Sequence, residues 1–150
     1  MPPAEHRSFT GAMSEVIATA QWLDGIAERN GLPSDAVFAL HICSEEILTN
    51  ILRHSGSSGP RIEVSLAILS DRIELTVEDD GAPFDVTQAV PRKIEGDILT
   101  VEPGGLGVQL IQQFASSLEY GRGGLGNRLL VTIFYSPDGD SELAKLSHHV

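Results

Sequence analysis

Glu46, Asn50, Arg53 and His54 lie close together in the stretch SEEILTNILRHS, residues 44–55. On a helix, positions three and four apart are neighbours on one face. Glu46 and Asn50 then stack over each other, His54 continues the line and Arg53 lies beside it. A carboxylate, an amide and a cation along one edge are either a solvated face or a row of groups directed at a charged ligand. Asparagine is unfavourable inside a helix, which favours a task for Asn50. A second stretch, VEDDGAPFD at 77–85, puts Asp79 where a strand ends and the chain turns. Gly81 lets the backbone turn sharply or approach a ligand closely, and Pro83 and Phe84 fix and floor the loop. Asp and Gly are also the usual turn residues. A calcium loop is disfavoured, because the spacing misses the EF-hand pattern and its closing Glu. The third stretch, PGGLGVQLI at 103–111, leads glycines straight into a helix. Exposed amides at a helix start, backed by the dipole, favour phosphate; a loop and helix cap reads the same way. No Gly-Lys-Ser/Thr follows, so it is not a P-loop, and no strand leads into it as in a dinucleotide fingerprint.

The elements that must position these groups follow from periodicity. Residues 13–29 carry Met13, Val16, Ile17, Ala20, Leu23 and Ile26 at helical spacing, and Asn30-Gly31 ends that helix. A second helix runs to His54, with Ser34 or Asp35 as its cap and Pro33 as the stop before it. GSSGP at 56–60 is a loop. RIEVSLAIL and RIELTVED alternate apolar and polar residues and form a hairpin through SDR. The stretch from about 81 to 105 is long and irregular, a mark of function or disorder. GVQLIQQFASS reads as a third helix with Val108, Leu110, Ile111 and Phe114 inward. LEYGRGGLGNRLLVTIFY reads as a second hairpin turned at GRGGLGN, residues 121–127. Hairpin-paired strands with helices between them predict an α+β fold, with helices on one face of a mostly antiparallel sheet. Cys43 and Trp22 are assigned to the core, Trp22 alternatively to an interface, and His148 and His149 to a polar tail.

Composition limits the possible partners. At 150 residues the chain suits one domain, 1–150, with a core over about 8–135 and a polar tail after 136. Net charge is −11, from 21 acidic against 10 basic residues. So acidic a chain repels nucleic-acid backbones, which argues against direct DNA or RNA binding and leaves room for one small nucleotide. One cysteine forms no internal disulfide, which fits a reducing compartment. No apolar run is long enough for a membrane span and the N-terminus lacks a signal-peptide core, so the cytoplasm is expected.

The order of the three stretches resembles the GHKL ATPase superfamily, which includes gyrase and the histidine kinases. Helical Glu46-x-x-x-Asn50-x-x-Arg53-His54 comes first, then Asp79-x-Gly81 after a strand, then Gly105-Leu106-Gly107 opening a helix. SEEILTN, DDGAPFD and GGLGVQLI look most like the branch of anti-sigma factor serine/threonine kinases, over roughly residues 8–135. Proline at position 83, where many members have a second glycine, is tolerated in that branch. The resemblance implies the Bergerat ATP-binding fold, a two-layer sandwich. It implies ATP and Mg2+, with Asn50 on the metal and Glu46 as general base toward a serine of a partner protein. It implies that Arg53 reaches a phosphate, that Asp79 accepts from the adenine amino group, and that Gly81 admits the base. Gly105, Leu106 and Gly107 would let a lid over 86–104 wrap the phosphates. The implied partners are an antagonist protein of the anti-anti-sigma type, and a sigma factor or a phosphatase; the implied assembly is a homodimer. No phospho-acceptor helix pair precedes the domain, which argues against an autophosphorylating histidine kinase. The rival readings are a non-catalytic, ATP-dependent binding module acting on a phosphatase or another partner, and a plain scaffold with no ligand.

Overall fold

The computed structural model describes residues 4–88 and 107–137. Along the chain these form β1 (Glu5–Thr10), α1 (Met13–Arg29), α2 (Ser34–His54), β2 (Arg61–Ile68), β3 (Arg72–Asp79), α3 (Gly107–Phe114), β4 (Ser117–Arg122) and β5 (Asn127–Phe134). The strands form one sheet in the order β1-β2-β3-β5-β4, every neighbouring pair antiparallel. The architecture is α+β, as the hairpin and helix patterns predicted.

Register explains the layering. Val64, Val77 and Leu129 lie on one rung, and Leu66, Leu75 and Val131 on the next. All six are buried. This face packs into one core with Val16, Leu23 and Ile26 of α1, Leu40, Cys43, Ile47 and Leu48 of α2, and Ile111 of α3. Each fully buried aliphatic side chain contributes about 1.5–3 kcal/mol relative to exposure. The intervening residues Glu63, Thr76 and Arg128 lie on the other face, so a period of two in sequence becomes two sides of a sheet. On the rung beyond Val64 the apolar pattern breaks: Ile62 pairs with Asp79, and Asp79 with Asn127.

Both hairpins and all three helices fall where the sequence places them. Asn30 caps the end of α1 and Gly31 takes φ 66°, a left-handed turn that suits glycine. Trp22 is partly buried against the core and Cys43 is fully buried.

Two expectations need correction. Neither Ser34 nor Asp35 caps α2. The cap position is Pro33, with no side-chain cap bond; its carbonyl accepts from Val37 N–H at 3.0 Å, and Asp35 lies in the first turn. There an acidic side chain meets the positive end of the helix dipole. The segment Glu5–Thr10, assigned no element from sequence, is an edge strand paired with β2. Arg7 ties it to α1 through Thr19 Oγ1 at 3.0 Å and Glu15 Oε2 at 3.1 Å. The polar tail, with His148 and His149, and most of the proposed lid lie outside the described residues.

Candidate functional site

A solvent-open cavity of about 480 Å³, open solvent included, lies between the second half of α2, the end of β3 and the β4–β5 hairpin. Asn50 and His54 enter it from α2, Asp79 from β3, Phe84 from the loop after β3, and Tyr120 and Asn127 from the hairpin. Apolar walls come from Ile47, Val77 and Ile111. Polar groups set in an otherwise apolar cleft are the usual make-up of a small-molecule site.

At the α2 wall, Asn50 is only 5% exposed, and its buried Nδ2 has no hydrogen-bond partner among the described residues. An unmet buried donor costs on the order of 1–3 kcal/mol, so it marks a place where a ligand or water completes the bonding. One turn earlier, Glu46 faces the first residue of α3. A Cβ built on Gly107 would stand 2.6 Å from Glu46 Oε2 and 3.6 Å from Asn50 Oδ1. The glycine is therefore what lets α3 begin directly against these two side chains. Burial pushes the Glu46 carboxyl above its usual range; Glu45 raises it further and Arg53 offsets part of the rise. A carboxylate so shifted is a stronger base. Arg53 itself is exposed at the end of α2 and does not line the cavity.

At the opposite wall, Asp79 is 6% exposed. Its Oδ1 accepts from Gly81 N–H at 2.9 Å and from Asn127 Nδ2 at 3.1 Å. The loop docks on the end of α2, where Ala82 N–H donates to Ser55 O at 2.9 Å. Gly81 is required at this contact, because a Cβ would lie 2.8 Å from both Cα and Cβ of Ser55. Phe84 stacks on His54 with ring centroids 4.4 Å apart and planes 11° from parallel. His54 thus packs the helix end and lines the cavity at once.

Of the residues singled out from sequence, Asn50 and Asp79 share the cavity, Gly81 shapes its loop, and Glu46 and Gly107 meet beside Asn50. Gly105 and Leu106 lie outside the described residues. Asn127 was missed because GRGGLGN was assigned to a hairpin turn as a whole, and Tyr120 because it was taken only as part of the strand before that turn. The turn is there, but its last residue belongs to β5. The signal for Asn127 was the alternation Leu129, Val131, Ile133, which extrapolates back to an inward position at 127.

The sequence profile of the histidine kinase-like ATPase domain matches residues 9–133, a span holding every group just described. The chain belongs to this family. Membership of an ATPase family implies nucleotide use. The ATPase domain is similar to the serine/threonine-protein kinase BtrW of Bordetella bronchiseptica, 31% identical over 119 residues, covering 78% of this chain and 84% of that protein. It is also similar to the serine-protein kinases RsbW of Listeria monocytogenes, 33% identical over 96 residues, and of Bacillus subtilis, 31% identical over 96 residues. These matches cover 60% of this chain, and 61% and 60% of the two RsbW proteins respectively, so the similarity spans about three-fifths of their length. Among solved structures, the mycobacterial sensor histidine kinase MprB is 19% identical with a TM-score of 0.48, covering 87% of this chain and 99% of that one.

Proposed function

We propose that this chain is an ATP-binding serine/threonine-protein kinase of the anti-sigma-factor type, working as a single nucleotide-binding domain in a partner-switching system. The observation that carries the reading is the meeting of Glu46 and Gly107 beside Asn50, which lines a cavity whose opposite wall presents Asp79. The kinase names of the relatives support the reaction class.

In this reading Asp79 receives a hydrogen bond from the adenine amino group and Gly81 gives the base room. Asn50 suits Mg2+: its amide is a hard oxygen donor, and this ion keeps several waters and takes phosphate oxygens as its other ligands. Among the described residues no cluster of three or more His, Cys, Asp or Glu offers a closed metal cage. The ion, when bound, neutralises charge on the transferring phosphoryl group. The exposed Arg53 reaches a phosphate. The opening of α3 supplies N–H donors to the phosphates, and Gly105, Leu106 and Gly107 let the preceding segment wrap them. Glu46 takes the proton from a partner serine hydroxyl; the hydroxyl oxygen bonds to the γ-phosphorus, and the bond from that phosphorus to the bridging oxygen breaks to leave ADP. The raised Glu46 pKa supports this role, since a stronger base removes the proton more readily.

The partner is an antagonist protein carrying the target serine, with a sigma factor or a phosphatase as the output protein. Nucleotide state biases which partner is held, through different affinities of the two states. The chain acts in the cytoplasm as a homodimer. Among the described residues no helix is long and apolar enough to cross a membrane.

Glu46→Ala tests the reading. ATP binding should persist by calorimetry, and phosphoryl transfer to the protein that co-purifies with the chain should be lost. Transfer at the native rate overturns the kinase mechanism and leaves a nucleotide-dependent binding module.

A further inference from the structure

We infer that Asn127 is a positioning residue that sets base selectivity, acting through Asp79 and the loop 81–84; this rests on the nucleotide reading above. Asn127 and Asp79 lie side by side on an inward-facing rung of β3 and β5 where polar side chains replace the apolar pattern of those strands. Asn127 is 5% exposed. Its Nδ2 donates to Ala82 O at 2.9 Å, Asp79 Oδ1 at 3.1 Å and Gly81 O at 3.3 Å. Its Oδ1 accepts from Arg122 Nη1 at 3.0 Å, from Phe84 N–H at 3.4 Å and from the Tyr120 hydroxyl.

These partners leave the amide no second orientation. A backbone N–H and a guanidinium only donate, and carbonyls and a carboxylate only accept. Turning the amide over would set N–H against N–H on one side and oxygen against oxygen on the other. One side chain therefore holds four points of the 79–84 turn to the last residues of β4. The consequence for the ligand lies in Asp79. Gly81 N–H and Asn127 Nδ2 both bond Oδ1, and Oδ2 has no partner among the described residues. The two donors fix the carboxylate's rotation, so its open acceptor points in one direction. A fixed acceptor rewards a base with an amine at that place and penalises one with a carbonyl, as adenine and guanine differ.

Without the Asn127 amide, Asp79 keeps only the Gly81 bond and can turn, and two loop carbonyls lose their tether. Selectivity should then suffer more than binding of the phosphates, which lie elsewhere in the site. A residue that merely supported the fold would weaken ATP and GTP alike.

The test is calorimetric titration of ATP and of GTP, each with Mg2+, into wild type and Asn127→Ala, with thermal unfolding of both. The expected result is ATP affinity lower by roughly ten- to hundredfold, GTP affinity within about threefold, and a preference for ATP reduced accordingly. If Asn127→Ala does not fold, the double variant Tyr120→Phe with Arg122→Ala removes two donors to Oδ1 and leaves β5 untouched; there the preference should fall at least about threefold. An unchanged ratio of affinities in the folded variant overturns the inference while the ATP site stands. Wild type that binds neither nucleotide overturns the nucleotide reading, and this inference with it.

Discussion

Gly107→Ala tests the placement of Glu46 against the start of α3. The new Cβ would stand 2.6 Å from Glu46 Oε2, and an ordinary contact begins at 3.4 Å, so the carboxylate must retreat by about 0.8 Å. Misplacing a catalytic group by roughly 1 Å costs on the order of 100-fold, close to 2.7 kcal/mol of barrier. The same Cβ meets Asn50 Oδ1 at 3.6 Å, an ordinary contact that leaves Asn50 in place. Gly107 is not among the glycines at positive φ, so alanine fits its backbone and the fold should hold. The expected result is a kcat for transfer to the co-purifying partner lower by roughly 100-fold. The kcat should fall by more than the KM for ATP rises, since the Glu46 carboxylate moves while Asn50 and the α3 backbone stay in place. Steady-state phosphotransfer over a range of ATP concentrations, alongside thermal unfolding, measures both. Unaltered kcat in a variant of native Tm would refute the placement of Glu46 as the base.

Further outcomes follow from the same geometry. Gly81→Ala drives a Cβ into Ser55 Cα and Cβ at 2.8 Å. The overpacking should cost about 1–3 kcal/mol, lowering Tm by several degrees, and ATP affinity should drop at least about tenfold as the loop leaves α2; calorimetry and thermal melts check both. The raised Glu46 pKa gives two pH effects. Transfer should decline as pH falls through that raised value, because the base is then protonated. The folded state also binds the Glu46 proton more tightly than the unfolded chain, so this group's contribution to stability falls as pH rises from about 4.5 through the raised value. Glu46→Gln should remove that dependence and raise Tm slightly at pH 7; melts from pH 4 to 8 would show neither effect if the carboxyl were unshifted. Burial pushes the Cys43 thiol up to about 12. Native protein should resist alkylation by iodoacetamide at pH 8 and react only when unfolded, as mass spectrometry would report; labelling of the native chain would contradict the buried placement.

What was legible in the sequence was local. Both hairpins announce themselves by alternation, and α1 and α2 by helical spacing, because each exposes one side and buries the other. The edge strand β1 has no such signature: within EHRSFT only Phe9 is buried. Its pairing with β2 joins residues more than fifty positions apart, which no short window reveals. In the site, Glu46, Asn50 and Asp79 stood out as polar residues inside apolar patterns, where a group is either bonded or functional. Arg53 was assigned to the same row, and it is exposed at the helix end outside the cavity. Asn127 escaped notice for the opposite reason. It follows a glycine-rich turn, where asparagine is unremarkable, and four of its six partners come from the end of β3 and the loop after it, more than forty positions away, which only the folded sheet brings near.

The claim on which the rest depends is that the cavity between α2 and the end of β3 holds a purine triphosphate through Asp79. Calorimetric titration of ATP with Mg2+ into wild type and Asp79→Asn measures this directly. The expected result is saturable binding to wild type and affinity weaker by roughly ten- to hundredfold in the variant, whose amide replaces a charged acceptor. Equal affinities, or no binding to wild type, would contradict it.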